Sequence, residues 1–274
     1  MKILLLFKTD DYGIVSKQAA MKIADVLKTQ KHTVLLNGIR NIDEFISISK
    51  TTDFDQIFLA TYGGWGQDGQ LQKILELKGK VFNGQSSKIS TALHNKKMTQ
   101  DLLKSYGVYS PTIYDPKKPK YPCMMKSPKV TMGSKVFRIN NESELYSHLP
   151  FFADFILEEC LAHKEWNEYS CGIVDGVVGK PIRIRSKNGK QSGLINKFAA
   201  QDEVWIGTKA MFKKIYQDLG LKGAIKINFT INKKDSRLSV FEIQTMPVLL
   251  PESLLCFSLD AIGVSYEDII KKMI

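Results

Sequence analysis

The chain has 274 residues, 43% of them hydrophobic and 10% aromatic, and carries 39 Lys and Arg against 28 Asp and Glu, a formal charge of +11. That length and apolar content exclude a disordered chain and supply core material for one large domain or two to three small ones. The basic excess favours an anionic partner, whether nucleic acid, anionic lipid or a phosphorylated ligand, and equally fits a surface made basic for solubility. Met1 to Phe7 reads as a buried strand. Its apolar run, Ile3 to Phe7, is five residues, short of a signal h-region and far short of the roughly 20 residues of a spanning helix. A soluble, cytoplasmic protein is expected. From Ser16 to Leu27, the residues Ala19, Ala20, Ile23, Val26 and Leu27 fall at helical spacing. Strands fit Thr33–Leu36 and Gln56–Ala60, with a helix over Ile42–Ile48 between them. This alternation predicts a parallel α/β sheet.

The third strand runs into residues 61–69, Thr61-Tyr62-Gly63-Gly64-Trp65-Gly66-Gln67-Asp68-Gly69, where four of nine are glycine. Such a stretch lets backbone approach a ligand at the carboxyl end of a strand, or is a plain flexible turn. Next come a helix over Leu71–Leu77, a short strand at Lys80–Phe82 and a helix over Ser90–Tyr106, stopped by Gly107 with Pro111 beyond. After a loop at Pro116–Lys120, Cys123–Lys126 begins a new strand. The second half is richer in strands, at Phe155–Glu159, Ser170–Val177, Lys180–Ile184, Gly223–Ile231 and Leu238–Gln244, with a helix over Thr208–Leu219. An α/β front followed by an α+β body is expected. The cysteines Cys123, Cys160, Cys171 and Cys256 form no C-x-x-C pair, and His32, His94, His148 and His163 have no ligand spacing. Both facts argue against a disulfide scaffold or zinc ribbon.

In Ala224–Ile231, alternation puts Ile225, Ile227, Phe229 and Ile231 on one face and Lys226 and Asn228 on the other. The turn 232–236 returns the chain, so that Phe241 and Ile243 share one face and Glu242 and Gln244 the other. A hairpin of this length brings Lys226, Asn228, Glu242 and Gln244 together. A carboxylate and two amides beside a lysine suit Mg²⁺ bound with substrate phosphates; a solvated hairpin face with mixed polar residues is the alternative. Lys126 ends an apolar strand and leads into a hydroxyl-bearing loop with Thr131, Gly133 and Ser134, of a kind that closes over phosphates through backbone N–H groups. The apolar strand Phe155–Leu157 ends in Glu158 and Glu159, with Leu161 and Glu165 beyond; such a segment offers backbone to a base and a carboxylate to ribose hydroxyls.

In this order, over nearly the whole chain, these pieces resemble the D-alanine–D-alanine ligase family of ATP-grasp enzymes. Gly66-Gln67-Asp68-Gly69-Gln70-Leu71-Gln72 is similar to the family's Gly-Glu-Asp-Gly-x-Leu-Gln signature. Ser90–Leu93 through Lys97 is similar to the segment that carries a nucleotide-contacting lysine, Lys126 to the phosphate lysine, and Glu158–Leu161 with Glu165 to the adenine and ribose hinge. Gly223–Asn228, Glu242–Pro247 and Ser253-Leu254 match the catalytic hairpin and acceptor loop, and Gly263–Ile270 the closing helix. The resemblance implies an N-terminal Rossmann-like (pre-ATP-grasp) parallel sheet followed by a two-lobed α+β ATP-grasp body. It also implies a substrate-side domain at 1–87, a central subdomain at 88–159 and a catalytic subdomain at 160–274.

The implied activity is an ATP-dependent carboxylate–amine ligase that joins two amino-acid-type substrates through an acyl phosphate and releases ADP and phosphate. Its implied cofactors are ATP with Mg²⁺ or Mn²⁺, and its implied assembly a homodimer, without nucleic acid or membrane. By position, Lys97, Lys126, Thr131, Gly133, Glu158, Glu159, Leu161, Glu165 and Lys197 would hold the nucleotide, and Asn228, Glu242 and Gln244 the metal. Lys226, in place of the family's arginine, and Ser134 would act at the reacting centre, with Tyr62, Gly63, Ser253 and Leu254 against the substrates. The departures lie mostly on the substrate and metal side. Ile14 stands where the family has a glutamate for the first substrate's amine, and Tyr62 and Gln67 replace the His and Glu of the glycine-rich loop. Asn228 and Gln244 replace the family's Asp and Asn, which leaves one anionic metal ligand. A second reading is therefore a catalytically degenerate nucleotide-binding relative with a regulatory or scaffold role. A third, nucleic-acid binding, rests on charge alone.

Overall fold

The computed structural model describes residues 1–10, 13–51, 53–129, 136–151, 153–161, 165–184 and 198–274. In the front sheet, β1 (Lys2–Lys8) is flanked by β2 (Thr33–Ile39) and β3 (Gln56–Ala60), all parallel, in the order β2-β1-β3. Parallel neighbours need crossovers, supplied by α1 (Gly13–Thr29) and α2 (Ile42–Thr51). The apolar positions read from the sequence bury Ala19, Ala20, Ile23 and Leu27 of α1 against the sheet. The expected strand at Lys80–Phe82 is reduced to one parallel bridge, Ile57 to Phe82. After α3 (Gln70–Leu77), the single helix expected over Ser90–Tyr106 is two, α4 (Ser87–His94) and α5 (Lys96–Leu103). Asn95 breaks it: its backbone is extended (φ −96°, ψ 118°) and its side chain caps α5 by accepting from the Met98 N–H at 3.0 Å.

The central sheet comprises β4 (Ile113–Tyr114), β5 (Cys123–Lys126), β6 (Val136–Ile139) and β7 (Ile156–Glu159), antiparallel in the order β4-β7-β5-β6, with α6 (Glu142–His148) alongside. The third sheet holds β8 (Trp166–Val174), β9 (Val177–Val178), β10 (Ile182–Ile184), β11 (Phe198–Ala199), β12 (Ala224–Asn232) and β13 (Leu238–Gln244). Its order is β11-β10-β8-β12-β13, with β9 paired to β8. The strand expected to reach Val177 ends at Val174, because Asp175 (φ 48°) and Gly176 (φ 74°) turn the chain into β9. One face of this sheet, with Cys171, Ile173, Ile225, Ile227 and Phe229, packs against Phe212 and Ile215 of α7 (Asp202–Asp218) and Leu93 and Leu103 of α4 and α5. The last helices, α8 (Leu254–Asp260) and α9 (Tyr266–Lys271), return to the front: Leu255, Leu259, Ile269 and Ile270 share a core with β1 and β3. Among the described residues, no helix is long and apolar enough to cross a membrane, and all four cysteines are free.

Candidate active site

The hairpin β12–β13 pairs Asn228 with Glu242 and Lys226 with Gln244, while Asn228 also pairs with Ser170 and Lys226 with Gly172 on β8. Two cross-sheet rows result, Ser170–Asn228–Glu242 and Gly172–Lys226–Gln244, so the four polar residues do converge. The faces differ from expectation at one point. The register shifts after Asn228, so that Phe229 pairs with Val240 and Phe241 is the extra residue of a bulge. Val240 and Ile243, not Phe241 and Ile243, therefore fill the core side, and the bulge is what keeps Glu242 on the polar face. Gln244 donates to Glu242 Oε1 (3.0 Å), Asn228 Nδ2 donates to Glu242 Oε2, and Ser170 Oγ donates to Asn228 Oδ1 (2.8 Å). Burial lowers the Lys226 pKa while Glu242 raises it.

Two lysines lie near this hairpin, Lys96 in the field of Glu242 and of Lys126. Lys126, at the end of β5, is ion-paired with Glu158 of β7; their side chains are 15% and 4% exposed. Lys97 is exposed on α5, bonded to Asp101 at 2.6 Å. Its neighbour Lys96 faces inward, with Nζ donating to the carbonyls of Ser127 (2.8 Å) and Lys129 (2.7 Å). The break at Asn95 sets this direction, since the start of α5 is tied to the strand end through Lys96 N–H to Pro128 O (3.0 Å). Burial pulls the Lys96 pKa down to about 8, partly offset by Glu242 and Glu158. His94, buried at the end of α4, lies in the field of Asp68, Lys96, Lys129 and Glu242, and burial lowers its pKa. Periodicity gave neither residue a reason to stand out.

The hinge residues are bonded mostly within the protein. Glu158 is committed to Lys126, and Glu159 accepts from the Tyr109 hydroxyl (2.6 Å) and the Thr112 N–H (3.3 Å). Both carboxylates thus have partners within the protein. Leu161 follows the strand end, and Glu165 is exposed, its carbonyl accepting from Lys233 N–H at 2.8 Å. Ser253 caps α8 by accepting from Cys256 N–H (3.3 Å), and Leu254 is the helix's first residue, partly buried.

Tyr62 and Gly63 are held by bonds from distant parts of the chain. Tyr62 is 1% exposed, its hydroxyl accepts from Leu249 N–H (3.0 Å), and burial raises its pKa. The Gly63 carbonyl accepts from Nζ of Lys8 (2.9 Å). Lys8, missed in the sequence because it closes an apolar strand, is 2% exposed, paired with Asp10 at 2.8 Å and 4.8 Å from the Trp65 ring centre. These bonds tie the start of residues 61–69 to Leu249 and to the end of β1. Thr131, Gly133, Ser134 and Lys197 lie outside the described residues.

As a cation site, the hairpin offers oxygen donors of the right kind for a hard ion, one carboxylate and two amides. Among the described residues, no group of three or more His, Cys, Asp and Glu could serve instead. The donors fit, provided that both amides present oxygen.

Comparison with known proteins gives a consistent result. A family model described as D-ala D-ala ligase C-terminus matches residues 116–274. A D-alanine–D-alanine ligase of Lawsonia intracellularis (strain PHE/MN1-00) is 25% identical over 285 residues, covering 95% of this chain and 92% of its own. The crystal structure of D-alanine–D-alanine ligase from Bacillus anthracis complexed with ATP shares the fold, with a TM-score of 0.83 at 21% identity, covering 100% of this chain and 96% of that one. So does the VanG D-Ala:D-Ser ligase from Enterococcus faecalis, with a TM-score of 0.83 at 18% identity over 99% and 98% of the two chains.

Proposed function

The chain belongs to the D-alanine–D-alanine ligase family, and from that premise we propose an ATP-dependent ligase that joins a carboxylate to an amine, both of amino-acid type. The carboxylate oxygen attacks the γ-phosphorus of ATP, the bond to ADP breaks, and an acyl phosphate forms. The amine then attacks the acyl carbon, loses a proton and expels phosphate. The observation that carries this reading is the convergence of Lys226, Asn228, Glu242 and Gln244 on one face of a bulged hairpin, with the buried Lys96 in the field of Glu242 and of Lys126. Lys96 and Lys126 suit the phosphates of the nucleotide, one braced by two carbonyls and the other by Glu158. Lys226, at the centre of the sheet, suits the oxygen on which charge develops during transfer. A divalent cation held by Asn228, Glu242 and Gln244 would draw negative charge from the transferring phosphoryl group. Backbone after Glu159, with Leu161 and Glu165, suits adenine and ribose; Ser253 and Leu254 suit the second substrate. ATP and free amino acids make the cytoplasm the fitting setting.

Ile14, 77% exposed, stands where the family's glutamate would meet the first substrate's ammonium, and an alkyl side chain cannot pair with a charge. D-Alanine is therefore expected to be a poor first substrate; efficient formation of D-Ala-D-Ala by the purified protein would contradict this. The test of function is an amino-acid panel with ATP and Mg²⁺, following ADP, phosphate and the mass of the product. Stoichiometric ADP and amide product, abolished by Glu242→Ala, is the expected result. ATP binding without product from any pair would instead favour the catalytically silent reading, to which the two amides on Glu242 lend some support.

A further inference from the structure

Both carboxylate oxygens of Glu242 are held by amides of the same sheet face. Its Oε2 accepts from Asn228 Nδ2 and its Oε1 from Gln244 Nε2, so both amides turn nitrogen toward the carboxylate. Lys226 adds a positive charge on the same sheet face. A cation entering here meets N–H groups first. A half-turn of each amide about its terminal bond exchanges nitrogen for oxygen within nearly the same volume. For Asn228 that exchange costs no partner: Nδ2 then meets Ser170 Oγ, a hydroxyl that accepts as well as it donates. In the turned state two amide oxygens and the carboxylate face one another, repulsive when the space between them is empty and a hard-cation site when it is filled.

We propose that Asn228 and Gln244 form a two-amide gate on Glu242, closed in the free protein and opened when a divalent cation arrives with the nucleotide's phosphates. The dependence on nucleotide follows from the donor set. One carboxylate and two amides leave a divalent cation short of both negative charge and oxygen ligands, and Lys226 on the same sheet face adds no attraction. Phosphate oxygens supply what is missing, so a cation alone is held weakly. The inference rests on the reading of this cleft as a nucleotide site.

Mn²⁺ titration of the whole protein, followed by the paramagnetic resonance of the free ion, tests it, first without nucleotide and then with a non-hydrolysable ATP analogue. Without nucleotide the wild type is expected to bind nothing tighter than the millimolar range. Asn228→Asp, which exchanges a donor for a second carboxylate, is expected to tighten nucleotide-free binding by roughly 10-fold or more; Gln244→Glu is the parallel variant should the first fail to fold. The side-chain amide resonances of Asn228 and Gln244 should move on adding Mg²⁺ with the analogue and stay in place with Mg²⁺ alone. Micromolar nucleotide-free binding by the wild type, or affinity unchanged in both carboxylate variants, would overturn the gate. None of these readouts needs turnover, so a chain that binds nucleotide but makes no amide bond can still pass them.

Discussion

Lys96 and Lys97 are adjacent, yet one is braced by backbone carbonyls and the other is exposed and ion-paired to Asp101. Neighbours on a helix point about 100° apart, so the whole difference lies in where the helix starts. Sequence periodicity gives one helix through Tyr106, and within such a helix nothing decides which lysine faces in; the cap at Asn95 decides it. Lys96→Met is expected to weaken ATP binding by about 1.5–3 kcal/mol, the range of a charge-assisted bond, and Lys97→Met to change it by under about 0.5 kcal/mol. Calorimetry of both variants separates them. The pH dependence follows from the same side chain. Lys96 is charged in the free protein below about pH 8 and neutral above it, against an ordinary value of 10.5. Phosphates favour the charged form, so ATP binding should take up a proton above about pH 8, and affinity should fall as pH rises. Titrations in buffers of different ionisation heat at that pH read the uptake, which should vanish in Lys96→Met. For stability the sign is opposite: the enclosed charge opposes folding below about pH 8, and that opposition fades as pH rises toward 10.5.

Among the elements, the hairpin was legible because its alternation is regular on both strands. Its bulge was not read, although the adjacent Val240 and Phe241 are the one break in that pattern. The glycine-rich segment was legible as special but ambiguous in kind, and steric demand resolves it. Gly69 sits at φ 98°, where a Cβ would lie 2.3 Å from Thr91 Oγ1 and 2.6 Å from Ser87 O. At Gly172 a Cβ would lie 2.7 Å from Leu255 O, because α8 crosses β8 directly over it. The obstacle at Gly172 is backbone and not a flexible side-chain tip, so Gly172→Ala should cost about 1–3 kcal/mol, read as a lower urea midpoint with unchanged slope. It should also displace Ser253 and Leu254 at the start of α8. Short elements such as β4, β6 and α6 left too little periodicity to be found.

At the scale of the whole molecule, the chain's end closes over its beginning. Leu249, Leu255, Leu259, Ile269 and Ile270 complete the core of the front sheet, and Tyr62 fastens that sheet to the segment after β13 through Leu249 N–H. This long-range closure has no local signature, whereas the order of motifs made the fold class legible over nearly all the chain. Tyr62→Phe leaves a buried N–H without its acceptor and should cost about 1–3 kcal/mol, seen in thermal unfolding with and without ATP. The central claim, transfer of a phosphoryl group to a substrate carboxylate, has a direct test. With an amino-acid mixture labelled with ¹⁸O in its carboxyl groups, ATP and Mg²⁺, the inorganic phosphate released should carry one labelled oxygen per turnover, because the phosphate expelled from the acyl phosphate takes a former carboxylate oxygen with it. Phosphate released without label would mean that water, not a carboxylate, attacks ATP, and would contradict the account.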